Sequence, residues 1–328
     1  MKRIFLYLPL FLLLGFTGCR NDDSYKPTEP EPTGPEAIDL TLTTRVGATV
    51  GDELTKYVKS LNLLLFRENG AGDYVLYRNV LLNKAQLDAL SKGTGEADAG
   101  FTALKEYIFD ALPIDNYKIV GIGNVTDSTG AAMREVALQG AENGNNMSQI
   151  LAVVADGNQA TRLFLGVTDV VRAGATASNP PVLRLYRKVS MFALTLEKIP
   201  DVVNQIAMQI GNTYGSFNMN GEYTSGSDII VTAMNSYAQQ VRDSITLSYV
   251  TLPTSVGDSS TFQATFYLID GPKQVVDLPK YVLKPNTITK VTATIDTDQP
   301  GNIWKVDVGT IITVDVEWNV DQEPPITI

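Results

Sequence analysis

Short runs in which apolar and polar side chains alternate, each closed by Gly, Pro, Asn or Asp, recur along this chain from residue 38 almost to its end. Alternation with period two is the pattern of a strand buried on one face, and many such runs at close spacing specify antiparallel sheets packed as sandwiches. Residues 38–43 (Ile-Asp-Leu-Thr-Leu-Thr) are the first of them. Residues 58–66 begin by alternating and end as the continuous apolar run Leu63-Leu64-Leu65-Phe66, which suits a strand inside a sandwich core. A charged, glycine-rich stretch at 67–73 then turns the chain into Tyr74-Val75-Leu76-Tyr77, a hairpin partner. Residues 117–125 form another strand candidate, and 83–90 and 103–112 read as short helical or loop insertions. The stretch 130–148, rich in Gly, Asn and Ala, carries no periodic signal.

A second series follows Asn179-Pro180-Pro181, where a double proline continues neither helix nor ladder and marks the expected domain joint. Its candidates are 189–196, 206–210, 229–233, 244–252, 260–269, 287–295 and 311–320, with turn residues between them. The fold class expected is therefore all-β, with an N-terminal β-sandwich over residues 38–182 and a C-terminal one over 183–328.

The start of the chain has a different design. Lys2 and Arg3 precede an apolar run from Ile4 to Leu14, followed by the small-residue approach Gly15-Phe16-Thr17-Gly18. These are the three regions of a secretory signal peptide, residues 1–18. The apolar run is shorter than the roughly 20 residues of a membrane-spanning helix and contains Pro9. Cys19, the single cysteine, stands directly after the expected cut and has no disulfide partner. Phe16-Thr17-Gly18-Cys19 resembles the lipobox of bacterial lipoproteins, with Phe16 where Leu, Val or Ile is usual. The resemblance implies lipidation of Cys19. Several acyl chains there would hold the chain firmly, since each buried methylene contributes about 0.8 kcal/mol and one chain alone is marginal. Residues 19–37 are polar and carry Pro27, Pro30, Pro32 and Pro35, the composition of an extended spacer between lipid and fold. Asp22-Asp23 looks like the acidic export tags of Bacteroidales surface lipoproteins, and serves equally well as plain solubilising charge.

Composition removes several function classes. Loss of the signal takes away Lys2 and Arg3 and no acid, so the formal charge moves from −10 to −12 over 310 residues. A chain this acidic repels phosphate backbones, and nucleic acid is not an expected partner. With no histidine and no free thiol, Ser-His-Asp and Cys-His nucleophile systems and His-ligated zinc are absent. No phosphate-binding, dinucleotide-binding or calcium-loop motif occurs. Gly121-Ile122-Gly123-Asn124 lies inside an alternating strand and reads as glycines at a bulge or a close packing point. No cofactor, metal or enzymatic activity is expected. A carboxylate-pair glycosidase survives the filter, although no pair of acids stands out, and would need facing carboxylates about 5 to 9.5 Å apart.

Taken in order, the lipobox, the spacer, Leu40-Thr41-Leu42-Thr43-Thr44-Arg45, residues 58–66, 117–124 and Leu183-Arg184-Leu185-Tyr186-Arg187-Lys188-Val189 resemble the fimbrillin-like, type V pilus subunits of Bacteroidales, whether shaft, tip or anchor. The resemblance rests on order and pattern over nearly the whole mature chain. It implies two tandem transthyretin-like β-sandwiches in a surface fibre at the outer membrane. Other pilus subunits would be partners through strand addition, the membrane would be a partner through the lipid, and host or bacterial surface ligands remain open. In that family a trypsin-like protease cuts shaft precursors after an arginine near the first strand, and a neighbour's strand fills the slot so vacated. Arg45, followed by Val46-Gly47-Ala48, matches that position; an ordinary exposed arginine in a loop fits the residues equally well. Pro324-Pro325 would interrupt a long C-terminal donor strand and points to an anchor or terminal subunit. The alternative function is a surface glycan-binding lipoprotein presenting Tyr214, Phe217, Tyr223 and Tyr237 on loops; such rings more often lie partly buried.

Overall fold

The structure, a computed structural model, describes residues 38–46, 54–92, 106–174, 181–224, 231–236, 244–255, 259–297 and 304–315. The N-terminal part runs β1 (Ile38–Val46), α1 (Leu54–Tyr57), β2 (Leu61–Glu68), β3 (Tyr74–Leu82), α2 (Lys84–Lys92), β4 (Glu106–Leu112), β5 (Asn116–Gly123), β6 (Val136–Gln139), β7 (Leu151–Val154), β8 (Phe164–Val167), β9 (Val171–Arg172) and β10 (Val182–Arg187). It continues with β11 (Ser190–Glu197), β12 (Val203–Gly211), β13 (Ser216–Asn218), β14 (Tyr223–Thr224), β15 (Val231–Ser236), β16 (Ser244–Thr251), β17 (Ser260–Leu268), β18 (Gln274–Tyr281), β19 (Thr287–Asp296) and β20 (Lys305–Asp315). The all-β class is as expected.

These strands form four sheets. The first has the order β3-β2-β5-β8-β10-β1-β4, with β9 also on β5; the second is β14-β13-β7-β6. The third is β16-β11-β19-β20 and the fourth β15-β12-β17-β18. Pairing is antiparallel except for β1 with β10 and β11 with β19.

The apolar run at 63–66 follows from coverage on both faces. Leu61, Leu63 and Leu65 point to one core with Leu87 and Leu90 of α2, while Leu64 and Phe66 point to another with Val136, Ala152 and Phe217 of the second sheet. A third core lies between the third and fourth sheets, built from alternate residues such as Phe192, Leu194 and Leu196 facing Ile206, Met208 and Ile210. The opposite face of β11, Met191 and Ala193, joins the core beneath the second sheet, so the halves of the molecule share apolar contacts.

Local signals explain the connections. Asn83 and Gln86 cap α2 reciprocally: the Gln86 amide N–H donates to Asn83 Oδ1 at 3.0 Å and the Asn83 N–H to Gln86 Oε1 at 2.9 Å. The β2–β3 turn closes through the Asn69 N–H to the Asp73 carbonyl at 2.9 Å. The glycines of β5 are close packing points and not a bulge, since the pairing of β5 with β2 and β8 runs without a register shift. A Cβ on Gly121 would lie 2.4 Å from Leu183 Cδ2. Asn124, buried with φ 65°, donates through Nδ2 to the carbonyls of Tyr57 and Arg162 and accepts the Lys59 N–H, so its polar ends are satisfied.

Three regions differ from expectation. Residues 103–112, read as a helical or loop insertion, contain β4; Tyr107-Ile108-Phe109 are strand formers whose partner β1 lies far back in the sequence. The strands β7 and β8 are too short to show a period, and β6 sits within the stretch that gave no signal. The continuous stretch after residue 183 divides into β10 and β11, which lie in different sheets with only Lys188-Val189 between them. The joint expected at 182/183 therefore falls at the start of β10, whose partners β1 and β8 are both N-terminal to it, and β13 and β14 complete the second sheet beside β7.

Two outcomes follow from this packing. A Cβ on Gly166 of β8 would stand 2.2 Å from the Arg184 carbonyl oxygen of β10, a backbone atom that cannot swing aside. Gly166→Ala should cost at least about 2 kcal/mol by forcing two paired strands apart, measured by urea unfolding; a change within about 0.5 kcal/mol would contradict the packing.

The second concerns Asp115, which accepts from Arg67 Nε at 2.8 Å and from the Asn116 N–H at 2.8 Å. Burial acts to raise its pKa, but these donors outweigh it and hold the carboxyl below the usual carboxylate range. A depressed acid contributes stability that is full above its unfolded value of about 3.9 and drains away as pH falls through the folded value. The difference between wild type and Asp115→Asn should thus be flat from neutral pH down to about pH 5 and shrink progressively as pH falls further. Water screening of this partly exposed pair keeps it near 1 kcal/mol or less.

Candidate assembly site

The first sheet closes around β1. Its first half pairs antiparallel with β4, from Ile38 opposite Leu112 to Thr43 opposite Glu106, with an irregularity between Ile38 and Leu40. Its second half pairs parallel with β10, from Thr43 beside Val182 to Val46 beside Leu185. Among the described elements, β4 has no other partner strand, so β1 alone ties it to the sheet.

The side chains flanking this slot belong to one core. Phe109 and Leu112 of β4 and Leu183 and Leu185 of β10 are all buried, beside α1 and α2. Tyr107 and Phe109 meet edge to face at 5.1 Å between ring centres. Burial pushes the Tyr107 hydroxyl's pKa up. Withdrawal of β1 would leave a row of unpaired backbone groups on β10 and expose large apolar side chains, each contributing about 1.5 to 3 kcal/mol when buried. β1 closes this part of the sheet, pairing with β4 along its first half and with β10 along its second.

Arg45 lies within β1, in register with Arg184, so its backbone belongs to a strand with neighbours and not to a free loop. Cys19 lies outside the described residues. Tyr214 and Phe217 are buried and Tyr223 half-buried against them, with Tyr214 and Tyr223 stacked at 5.1 Å, so these rings pack inward; Tyr237 lies outside the described residues. Among the described residues, no group of three or more acidic or thiol side chains is placed to hold a metal.

The slot is held against the rest of the molecule by residues to which the sequence assigned no such role. Lys188, directly after β10, donates through Nζ to the Gly221 carbonyl at 2.8 Å and sits 4.2 Å from the centre of the Tyr223 ring. Tyr223 returns the contact by donating its hydroxyl to the Lys188 carbonyl at 2.8 Å. Desolvation lowers the Lys188 pKa and raises that of Tyr223. On the other side, Arg187 Nη1 donates to Asn286 Oδ1 at 3.2 Å and Ser190 Oγ to the Lys284 carbonyl at 2.6 Å. A single lysine after an apolar strand carries no sequence signal of such a role.

Comparison with known proteins bears on this arrangement. No curated protein matches the chain. Among solved structures, the fimbrial anchor protein Mfa2 from Porphyromonas gingivalis is similar at 13% identity and a TM-score of 0.56, over 85% of this chain and 97% of that one. A candidate adhesin from Bacteroides thetaiotaomicron is similar at 13% identity and 0.51, over 85% and 97%. A candidate polysaccharide-binding protein from the same species is similar at 10% identity and 0.51, over 87% and 100%. At these identities the likeness is one of fold. The family of fimbrillin-A associated anchor proteins Mfa1 and Mfa2 matches residues 31–323, and the chain, with its β1-filled slot in an all-β frame, belongs to that fimbrial family.

Proposed function

We propose that this chain is a lipid-held subunit at the membrane end of a type V fimbria, on the outer surface of the cell. Family membership supports a fimbrial role, and the lipobox at residues 16–19 with its proline-rich spacer supports the tether. The observation that carries the anchor reading is the position of Arg45 within β1, paired with Arg184 of β10. Cys19 and Arg45 lie on the same side of the fold in sequence, so a cut after Arg45 would leave the lipid on β1 and sever it covalently from everything else. A protease needs an extended, accessible peptide, and backbone engaged by a neighbouring strand is accessible only after local opening. A subunit whose slot stays filled by its own strand accepts no donor strand there. It therefore stands at the end of a fibre and meets its neighbour through another edge.

Two experiments test the reading. In limited trypsin digestion of the folded chain, the Arg45–Val46 bond should stay intact while exposed loops are nicked. Arg45→Ala should match wild type in mass by light scattering. Cleavage at Arg45 followed by loss of β1 and growth into oligomers would replace the anchor reading with that of a processed shaft or tip subunit.

In the producing cell, Cys19→Ser should abolish incorporation of labelled palmitate and move the protein from the detergent-soluble membrane fraction to the soluble fraction. Retention in membranes without label would remove the lipid tether from the proposal.

A further inference from the structure

The outer face of the fourth sheet carries a polar cleft of about 650 Å³ that the assembly role does not use. Its origin lies in two irregularities. The pairing of β17 with β18 slips between Ser260–Tyr281 and Phe262–Leu278, so that Pro279 and Lys280 together face Thr261. Proline gives no ladder hydrogen bond and is tolerated at such a bulge on a sheet's outer strand, where the extra residue bends the strand and re-aims its neighbours. Beside Thr261 on β12 stands Gly211; a Cβ there would lie 2.7 Å from Thr261 Oγ1. Bulge and missing side chain together leave a depression in an otherwise flat face.

The walls are polar by strand alternation. Phe262, Ala264, Met208, Ile210, Val276 and Leu278 fill the core behind, so Thr261, Gln263, Gln209 and Asp277 face outward. Gln209, Gln263 and Asp277 stand at one register level on three adjacent strands, about 4.8 Å apart in strand spacing. Gln263 Nε2 donates to Asp277 Oδ1 at 2.8 Å, which orients the amide and leaves its carbonyl oxygen to accept. Gln209 adds a second amide and Lys280 an ammonium, lining the same cleft.

We propose that this cleft is a binding site for a short neutral oligosaccharide. A row of planar amides and a carboxylate, able both to donate and to accept, matches a ligand whose edge is a series of hydroxyls, each donor and acceptor at once. One carboxylate and one ammonium give no net charge, which disfavours strongly anionic ligands, and a single carboxylate is too few for a metal site. The backbones of β12 and β17 beneath the cleft are paired on both sides, so an extended peptide finds no unpaired edge on them. The size is that of an ordinary small-ligand site, about 300 to 1,000 Å³. The volume is enough for several sugar rings. This site lies apart from the buried group of Tyr214, Phe217 and Tyr223, and it stands or falls independently of the fimbrial reading.

The test is saturation-transfer NMR on the full chain with cellotetraose, mannotetraose and laminaritetraose as neutral probes and tetragalacturonate as the acidic one. At least one neutral probe should receive saturation and show a saturable titration, with tetragalacturonate weaker. Gln263→Leu and Lys280→Met, each outward-facing, should weaken that binding about tenfold. Unchanged far-UV spectra and midpoints would show that the variants remain folded, and either variant alone suffices if the other does not fold. The proposal is overturned if no neutral probe binds, if only the acidic probe does, or if binding is unchanged in the folded variants.

Discussion

The central strands of the first sheet are buried on both faces, and most of what is distinctive about this chain depends on that constraint. A sheet with one wet face tolerates polar side chains at every second position; β2 and β5 have little such freedom, so Leu61 and Leu63 to Phe66 are apolar, and the buried Asn62 among them donates through Nδ2 to Asn79 Oδ1. Neighbouring layers must also approach closely. Side chains are missing at Gly121, Gly123 and Gly166 because Leu183, Val58 and the Arg184 carbonyl occupy the space they would need. Close packing of this kind tolerates little displacement, and it makes the sheet a single object from β3 to β4.

That rigidity gives the β1 slot its character. β4 and β10 present buried apolar side chains to one core, and the strand between them joins segments separated by some seventy residues. The main-chain ladder on both flanking strands supplies the attraction. Here the chain supplies the strand itself. The latch at Lys188, with its carbonyl and aromatic contacts, then fixes the first sheet to the sheets that follow.

The alternating pattern made the all-β class legible, together with most of the longer strands and the turn at residues 67–73. The capping pair Asn83 and Gln86, three residues apart, is what settles the 83–90 stretch as helix α2. Strands whose reason for existing is a distant partner were not legible. β4 reads as an insertion until β1 is laid beside it, and β7, β8 and β13 are too short for periodicity to register. The same holds for function: Arg45 is visible as an arginine near a first strand, whereas its pairing with Arg184 of β10 is a property of the sheet. The polar row at Gln209, Gln263 and Asp277 is scattered over three separate segments and becomes a row only through register.

By itself, then, the sequence determined whatever depends on contacts between residues a few positions apart: strand or helix, turn positions, the acidic charge, the missing histidines and the lipobox with its spacer. Tertiary structure alone decided which strand lies beside which, that β10 joins the first sheet and β11 the third, that the aromatic residues 214, 217 and 223 pack inward, and that β1 fills a slot between β4 and β10. The reason is physical. Alternation and turn chemistry act over one or two residues, whereas pairing is chosen by the burial and backbone hydrogen bonding of segments that meet only when the whole chain has collapsed.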